Sequence, residues 1–238
     1  MEIIAEIGQN HNGNMSIAEE LIYSVSEVGA DVAKFQLFEM SFWEKIYSKN
    51  PEIEKTWRDY HEKTCLNTEN INKLNDLCNK LNIEFMCSVF DEKLIETLEK
   101  IKVKRYKIAS SSIYETKLID KLASTNKDLI VSLGKWKENK LPKINTPAKV
   151  SYLYCVSKYP TEFNDLNFSK ISFDKFDGFS DHTIGLDASF IALSRGAKII
   201  EKHVTLDKNM HGPDHEGSIT PKELKKLIDF KNNLKLSL

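Results

Sequence analysis

Apolar positions along the chain fall into two alternating rhythms. Short β-branched runs recur at residues 3–7, 31–36, 83–89, 103–109, 128–133 and 150–156, with a brief run at 176–179 and a last one through Ile199, Ile200 and Val204 after the Gly196-Ala197 turn. Between them lie stretches of helical period. The first runs from a Ser16 cap to about Val28, with Ile17, Leu21, Val25 and Val28 on one face and Gly29 as its stop. Further helices are predicted from a Thr68 cap to Leu81, from an Asp91 cap to Ile101, over 115–123 and over 186–194, and from Pro221, capped by Thr220, to about Leu236. The crossover at 135–147 contains Pro142 and Pro147 and reads as a tight connection rather than a helix. Residues 37–66 form a long aromatic insertion with Phe42, Trp43, Tyr47, Trp57 and Tyr60, which reads as a packed lid.

Strands alternating with helices imply a parallel sheet. Eight strand-helix units in a chain of 238 residues fit a closed α/β (β/α)8 TIM barrel better than an open doubly wound sheet. No Gly-x-Gly-x-x-Gly follows the first strand, which removes the main sign of a dinucleotide fold. No linker or shift of composition divides the chain, so one domain is expected.

Composition narrows the partners. With a formal net charge of −1 and interspersed acids and bases, the chain offers no broad nucleic-acid or membrane surface, although two or three cations suffice for a small anion. The four cysteines lack Cys-x-x-Cys spacing, and Cys87 and Cys155 lie in apolar runs as small core residues. The N-terminus has no basic start and no long apolar segment, so neither a signal peptide nor a membrane span is expected. A reducing cytoplasm is the simplest location.

In a barrel, side chains at the carboxyl ends of the strands converge on one mouth. Polar residues of this sequence collect there: Glu6 and Asn10-His11 after strand one, Lys34 and Gln36 on strand two, Ser88 on three, Lys107 and Ser110 on four, Ser132 on five, Ser157 and Tyr159 on six, Ser180 and His182 on seven, Glu201 and His203 on eight. Lysines within apolar strands are costly to bury unless paired. Lys34 and Lys107, with hydroxyls from Ser88, Ser110 and Ser132, suit a phosphate plus a carboxylate; the alternative is that each pairs with Glu6 or Glu201.

Glu201 and His203 lie two apart and share a strand face, ahead of a loop carrying Asp207, His211, Asp214, His215 and Glu216. His182 and His203 are placed to share a divalent metal with open positions for water or substrate, and are equally compatible with hydrogen-bonded core histidines. Two histidines are too few for a structural zinc site, so an exchangeable Mn²⁺ or Mg²⁺ is the expected ion. His61, His211 and His215 read as loop residues, solvated or touching substrate.

The ordered segments Ile4-Ala-Glu-Ile-Gly-Gln-Asn-His-Asn-Gly13, Val32-Ala-Lys-Phe-Gln36, Tyr106-Lys-Ile-Ala-Ser110, Tyr159-Pro-Thr161, Gly178-Phe-Ser-Asp-His-Thr183, Glu201-Lys-His-Val-Thr-Leu-Asp207 and Gly212-Pro-Asp-His215 resemble the N-acetylneuraminate (sialic acid) synthase family, with its legionaminate and pseudaminate relatives, across nearly the whole chain. The resemblance implies condensation of phosphoenolpyruvate with an open-chain N-acyl-hexosamine aldehyde, giving a nine-carbon 2-keto acid and phosphate. It implies that Lys34, Ser88, Lys107, Ser110, Ser132, Tyr159 and Ser180 hold phosphoenolpyruvate, that His182 and His203 hold the metal, that Glu6, Gln36 and Asp214 address the sugar, and that Glu201 manages protons. Ser157 joins the substrate set, and Glu201, Glu6 and Lys107 form the candidate catalytic set. The family resemblance further implies a homodimer.

Ser88 stands where the family commonly has threonine, Ser157 where it has asparagine, and Ser112 where it often has glutamate. Family members usually continue into an antifreeze-like C-terminal domain whose arginine closes the sugar site; here that domain is expected to be absent or supplied in trans. The competing readings are a regulatory barrel that binds phosphoenolpyruvate without turnover, and a metal-dependent pyruvate aldolase with Lys107 as an imine-forming lysine.

Overall fold

The computed structural model describes residues 1–237. Eight parallel strands close into a barrel in sequence order: β1 (Glu2–Gly8), β2 (Val32–Leu37), β3 (Glu84–Val89), β4 (Arg105–Ile108), β5 (Asp128–Ser132), β6 (Val150–Cys155), β7 (Gly178–Asp181) and β8 (Ile199–His203), with β8 pairing back to β1. Helices α1 (Met15–Glu27), α2 (Met40–Tyr47), α3 (Pro51–Thr64), α4 (Thr68–Lys80), α5 (Leu94–Lys100), α6 (Thr116–Ser124), α7 (Asp187–Ser194) and α8 (Pro221–Ser237) connect and surround them. This is the expected TIM barrel.

The period-2 alternation of the strands sorts the chain into an outer and an inner core. Outward residues such as Ile3, Ala33, Phe35, Phe85, Val131, Phe179 and Ile200 pack against the helices in the larger hydrophobic cluster. Inward residues Ile4, Val32, Met86, Ile130, Leu153 and Ile199 form a separate plug inside the barrel. Two residues further along five of these six strands the inward position turns polar: Glu6, Lys34, Ser88, Ser132 and Glu201 stand on the apolar plug at the carboxyl end, while Cys155 takes that place on β6. Truncating a plug residue such as Ile130 to alanine should cost about 2–5 kcal/mol and loosen the floor beneath those groups.

Several local expectations are corrected. The first helix is capped by Asn14, whose side chain accepts from the Ser16 amide, and α4 by Asn67 in a reciprocal capping box with Asn70; Ser16 and Thr68 lie inside the first turns. Asp91 accepts from the Lys93 amide, and α5 begins only at Leu94. The seventh strand is shifted to Gly178–Asp181, because the Asp177 carboxylate accepts from the Tyr152 amide and Phe176 packs on Tyr154 outside the barrel. Eight full strand-helix units are not present. As expected, β5 and β6 are joined without a helix, and the β6–β7 connection, which contains Pro160, has only two short 3₁₀ turns, one preceded by left-handed Asn167 (φ 50°). The aromatic insertion folds as α2 and α3. Among the described residues no helix is long and apolar enough to cross a membrane.

Candidate active site

The polar layer at the carboxyl end of the barrel is built by strand register. Lys34 lies opposite Glu6 across β1 and β2, Ser88 opposite Lys107 across β3 and β4, Ser180 opposite Glu201 across β7 and β8, and His203 opposite Glu6 across β8 and β1. Glu6, Lys34 and Lys107 are 1–2% exposed. The Lys34 ammonium contacts the Glu6 carboxylate, donates to Ser88 Oγ at 2.8 Å and lies 3.5 Å from Glu201 Oε2. Lys107 donates to Ser132 Oγ at 2.7 Å and lies 3.5 Å from Glu201 Oε1, which also accepts from Ser180 Oγ at 2.8 Å. Both lysines thus face barrel carboxylates, Lys34 both Glu6 and Glu201 and Lys107 Glu201, in agreement with the alternative reading of the sequence. Gln36 donates to Glu6 Oε1 at 3.1 Å and accepts from Gln9 at 3.2 Å.

Charge in this layer is balanced, two ammonium groups against two carboxylates, but the hydrogen bonding is not complete. Glu201 Oε2 is buried without a hydrogen-bond partner. Burial pushes the Glu201 carboxyl up, yet Lys107 and Lys34 outweigh it and hold the group well below the usual carboxylate range. Burial pulls the Lys34 ammonium down, but Glu201 and Glu6 more than compensate and keep it charged. For Lys107 burial prevails over Glu201 and the pKa falls.

Ser110 follows β4 and meets Ser157 Oγ at 2.9 Å; its own Oγ accepts from the Lys135 amide at 2.7 Å. That cluster requires glycine at 134, where a Cβ would stand 2.5 Å from Ser157 Oγ and 2.6 Å from Cys155 Sγ. Gly8, with φ +55°, turns the chain out of β1 directly above Glu6 and Gln36.

His182 and His203 stand on the same rim with ring centroids 5.9 Å apart. The Nδ1–H of His182 donates to Val156 O at 2.8 Å, so Nε2 carries the lone pair, and burial lowers the pKa to about 4, keeping the imidazole neutral. His203 Nδ1 is buried without a hydrogen-bond partner, 3.8 Å from Asp214 Oδ2. Two imidazoles and a neighbouring carboxylate are donors suited to a divalent ion, and the backbone-anchored His182 is how metal-ligating histidines are usually oriented. Among the described residues no group of three or more histidine, cysteine or acidic side chains stands close enough together to hold a metal by itself. Tyr159 covers His182 at 4.2 Å between ring centroids while its other side is exposed.

All fourteen sequence-derived site residues therefore lie around one mouth. Twelve line its deep part, and Ser157 and Asp214 line a wider cavity of about 510 Å³ above it, which shares Gln36, Ser110, Tyr159 and His203 with the deep part. Two histidines depart from expectation. His61 belongs to α3, is 3% exposed, bonds the Tyr47 hydroxyl at 2.7 Å and stacks on Trp43 at 3.4 Å. His215 is fully buried between Thr205 Oγ1 at 2.7 Å and Asn12 Oδ1 at 3.0 Å. Both are packing groups that pin the insertion and the last loop; the polar loops around them gave no sign of this in sequence. Lys135 and Phe90 line the wider cavity and were not singled out from sequence, since neither sits in a strand pattern that marks them.

Behind the rim is a second ion pair. Lys202 and Asp181, opposite one another across β7 and β8 and pointing outward, are 3.1 Å apart with both side chains fully buried. Asp181 also accepts from the Thr183 amide and hydroxyl at 2.8 and 2.7 Å and from Ser189 Oγ at 2.5 Å, and Lys202 donates to Thr183 O. The pair ties together the two strand ends that carry His182 and His203.

The chain is 37% identical to N,N'-diacetyllegionaminic acid synthase of Legionella pneumophila over 95% of its own length and 70% of that protein. It is 30% identical to human N-acetylneuraminate-9-phosphate synthase over 95% of this chain and 68% of the relative. The crystal structure of N-acetylneuraminic acid (sialic acid) synthetase from Leptospira borgpetersenii superposes with a TM-score of 0.89 at 30% identity, covering 99% of this chain and 84% of that one. Residues 21–238 match the NeuB family, and the chain belongs to that family.

Proposed function

We propose that this barrel condenses phosphoenolpyruvate with the open-chain aldehyde of an N-acyl-amino sugar, releasing phosphate and forming a 2-keto sugar acid of the sialic acid class. The observation that carries the reading is the pair of buried lysines, each with a serine hydroxyl, beside two strand-end histidines on one rim. The sugar-acid synthase names of the relatives support it.

Lys34 and Lys107, with Ser88, Ser110, Ser132 and Ser180, hold the phosphate and carboxylate of phosphoenolpyruvate. The lysines are engaged by Glu6 and Glu201, so binding an anion exchanges carboxylate partners for phosphate. Drawing Lys34 and Lys107 toward the ligand raises the proton affinity of Glu201, which they otherwise hold low, and makes it a competent base. Tyr159 joins the groups that hold phosphoenolpyruvate, and Gln36, Glu6, Ser157 and Asp214 position the acceptor. His182 and His203, beside Asp214, hold a divalent ion, Mn²⁺ or Mg²⁺, which when bound supplies Lewis-acid polarisation of the aldehyde.

C3 of phosphoenolpyruvate attacks the aldehyde carbon, its C2–C3 π electrons form the new C–C bond, and the aldehyde oxygen receives, through Glu201, the proton lost by the attacking water. Water adds to the electron-poor C2 and gives a proton to Glu201, oriented by Ser180. The tetrahedral carbon collapses to a ketone by breaking its bond to the phosphate oxygen, and the lysines stabilise the departing phosphate. The test is phosphate release by the chain with phosphoenolpyruvate, Mn²⁺ and a panel of N-acyl-hexosamines. Thermal stabilisation by phosphoenolpyruvate without release from any acceptor would replace this reading with a binding barrel.

A further inference from the structure

The insertion is joined to the polar layer through the last turn of α3. After Gly8 the chain folds back over the barrel, and Gln9, 4% exposed, lies between that turn and the layer. From α3, the buried Thr64 Oγ1 stands 2.8 Å from Gln9 Oε1, and Tyr60, one turn earlier, donates its hydroxyl to Gln9 O at 2.9 Å. Gln9 Nε2 donates to Gln36 Oε1 at 3.2 Å and Gln36 Nε2 to Glu6 Oε1 at 3.1 Å. The other oxygen of Glu6 meets the Lys34 ammonium, which donates to Ser88 Oγ. A continuous line of polar contacts therefore runs from the insertion to the buried lysine. It is closely fitted, since a Cβ on Gly8 would stand 3.1 Å from Glu6 Oε1 and 3.2 Å from Gln36 Nε2.

The direction of this line is set at one end. A carboxylate can only accept, so Glu6 takes the Gln36 amide nitrogen and leaves the Gln36 oxygen toward Gln9. Gln9 must answer with its nitrogen, which turns its own oxygen to Thr64. The Thr64 hydroxyl also lies 2.9 Å from Tyr60 O. Two oxygens 2.8 Å apart need a proton between them, however, so the hydroxyl donates to Gln9. Remove it and a buried amide oxygen loses its donor, which frees Gln9 to rotate and Gln36 to leave Glu6. Glu6 depends on that hold: the Gln36 amide is the only hydrogen bond to its carboxylate among the described residues, and Lys34 changes partner when an anion binds. Thr64 itself is fully buried and lines neither part of the mouth. We infer that Thr64 is a positioning residue, acting through Gln9 to keep Gln36 and Glu6 aimed at the acceptor, an inference that rests on the function proposed above.

The test is steady-state phosphate release by the full chain with Mn²⁺, titrating phosphoenolpyruvate and each N-acyl-hexosamine of the panel separately. Thr64→Val, which exchanges the hydroxyl for a methyl group, should raise the acceptor KM about 10-fold. The KM for phosphoenolpyruvate should stay within about twofold, and Thr64→Ser should restore the acceptor KM. Thr64→Val combined with Gln9→Met should be no worse than Gln9→Met alone, because both break one line. An unchanged acceptor KM, a parallel rise in both KM values, an equal loss in Thr64→Ser or additive effects would each overturn the inference and leave the condensation standing. No release from any acceptor by the unaltered chain would instead overturn the proposed function. The line of hydrogen bonds is then read by NMR without turnover: Thr64→Val should shift the side-chain amide signal of Gln36, which Thr64 does not touch, and a shift confined to Gln9 would show that the line does not transmit.

Discussion

Strand β8 carries a buried charge on each face, and the two are treated in opposite ways. Outward, Lys202 meets Asp181 in a pair whose carboxylate is filled by four donors: the ammonium, the Thr183 amide and hydroxyl, and Ser189. Inward, Glu201 sits 3.5 Å from each of two lysines, accepts one good hydrogen bond and leaves Oε2 without one. Desolvated charge persists in a fold only where partners compensate it. The saturated pair is therefore a fastener between β7 and β8, and the unsaturated group keeps one carboxylate oxygen without a hydrogen bond at the floor of the mouth. The same contrast separates Lys202, locked to one carboxylate and one carbonyl, from Lys34 and Lys107, which share Glu201 and can change partners.

Four measurements would break or sharpen that comparison. Glu201→Gln should leave phosphoenolpyruvate binding in place and slow phosphate release roughly 10²- to 10⁴-fold, as loss of a general base does; undiminished turnover would remove the base assignment. Asp181→Asn should act on stability instead, costing about 3–5 kcal/mol in urea unfolding because it strands the buried Lys202 charge, with part recovered when Lys202→Met is added. If the single change is silent, the outer pair is no fastener.

A pH series is expected to give an effect of intermediate size. Burial lowers His11 to about 4, below its unfolded value near 6.5, and lowers His61 in the same direction. The unfolded chain thus takes up these protons first, so stability is complete above about pH 6.5 and declines toward pH 4. His11 alone should contribute a loss of about 2 kcal/mol between pH 7.5 and 5, which His11→Asn should abolish. The smallest effect belongs to Ser132→Ala, which removes one hydrogen bond from Lys107 and should raise the KM for phosphoenolpyruvate about 10-fold with kcat little changed. An unchanged KM would separate Ser132 from the anion site.

Much of the barrel was legible because burial imposes a period on the strands. Runs such as Val32-Ala-Lys-Phe-Gln and Ile199-Ile-Glu-Lys-His alternate inward and outward positions, and that alternation already places Lys34, Gln36, Glu201 and His203 on one face. Helix caps were less legible: Asn14 and Ser16, or Asn67 and Thr68, are equally good caps by residue type, and only the local turn chooses between them. The insertion was legible as an aromatic packed lid but not as the two helices α2 and α3. Nothing in the spacing of Trp43, His61 and Trp57 says that His61 is buried against Tyr47 rather than open to solvent.

The chain's own pattern thus determined the parallel barrel, its strand order and the identity of the polar layer at its carboxyl end, because side-chain periodicity in an extended strand is local. Tertiary structure decided how the charges in that layer are shared, which carboxylate is satisfied and which is not, and which face of the insertion meets the cavity. Those outcomes depend on distances between residues far apart in sequence, which no local pattern encodes.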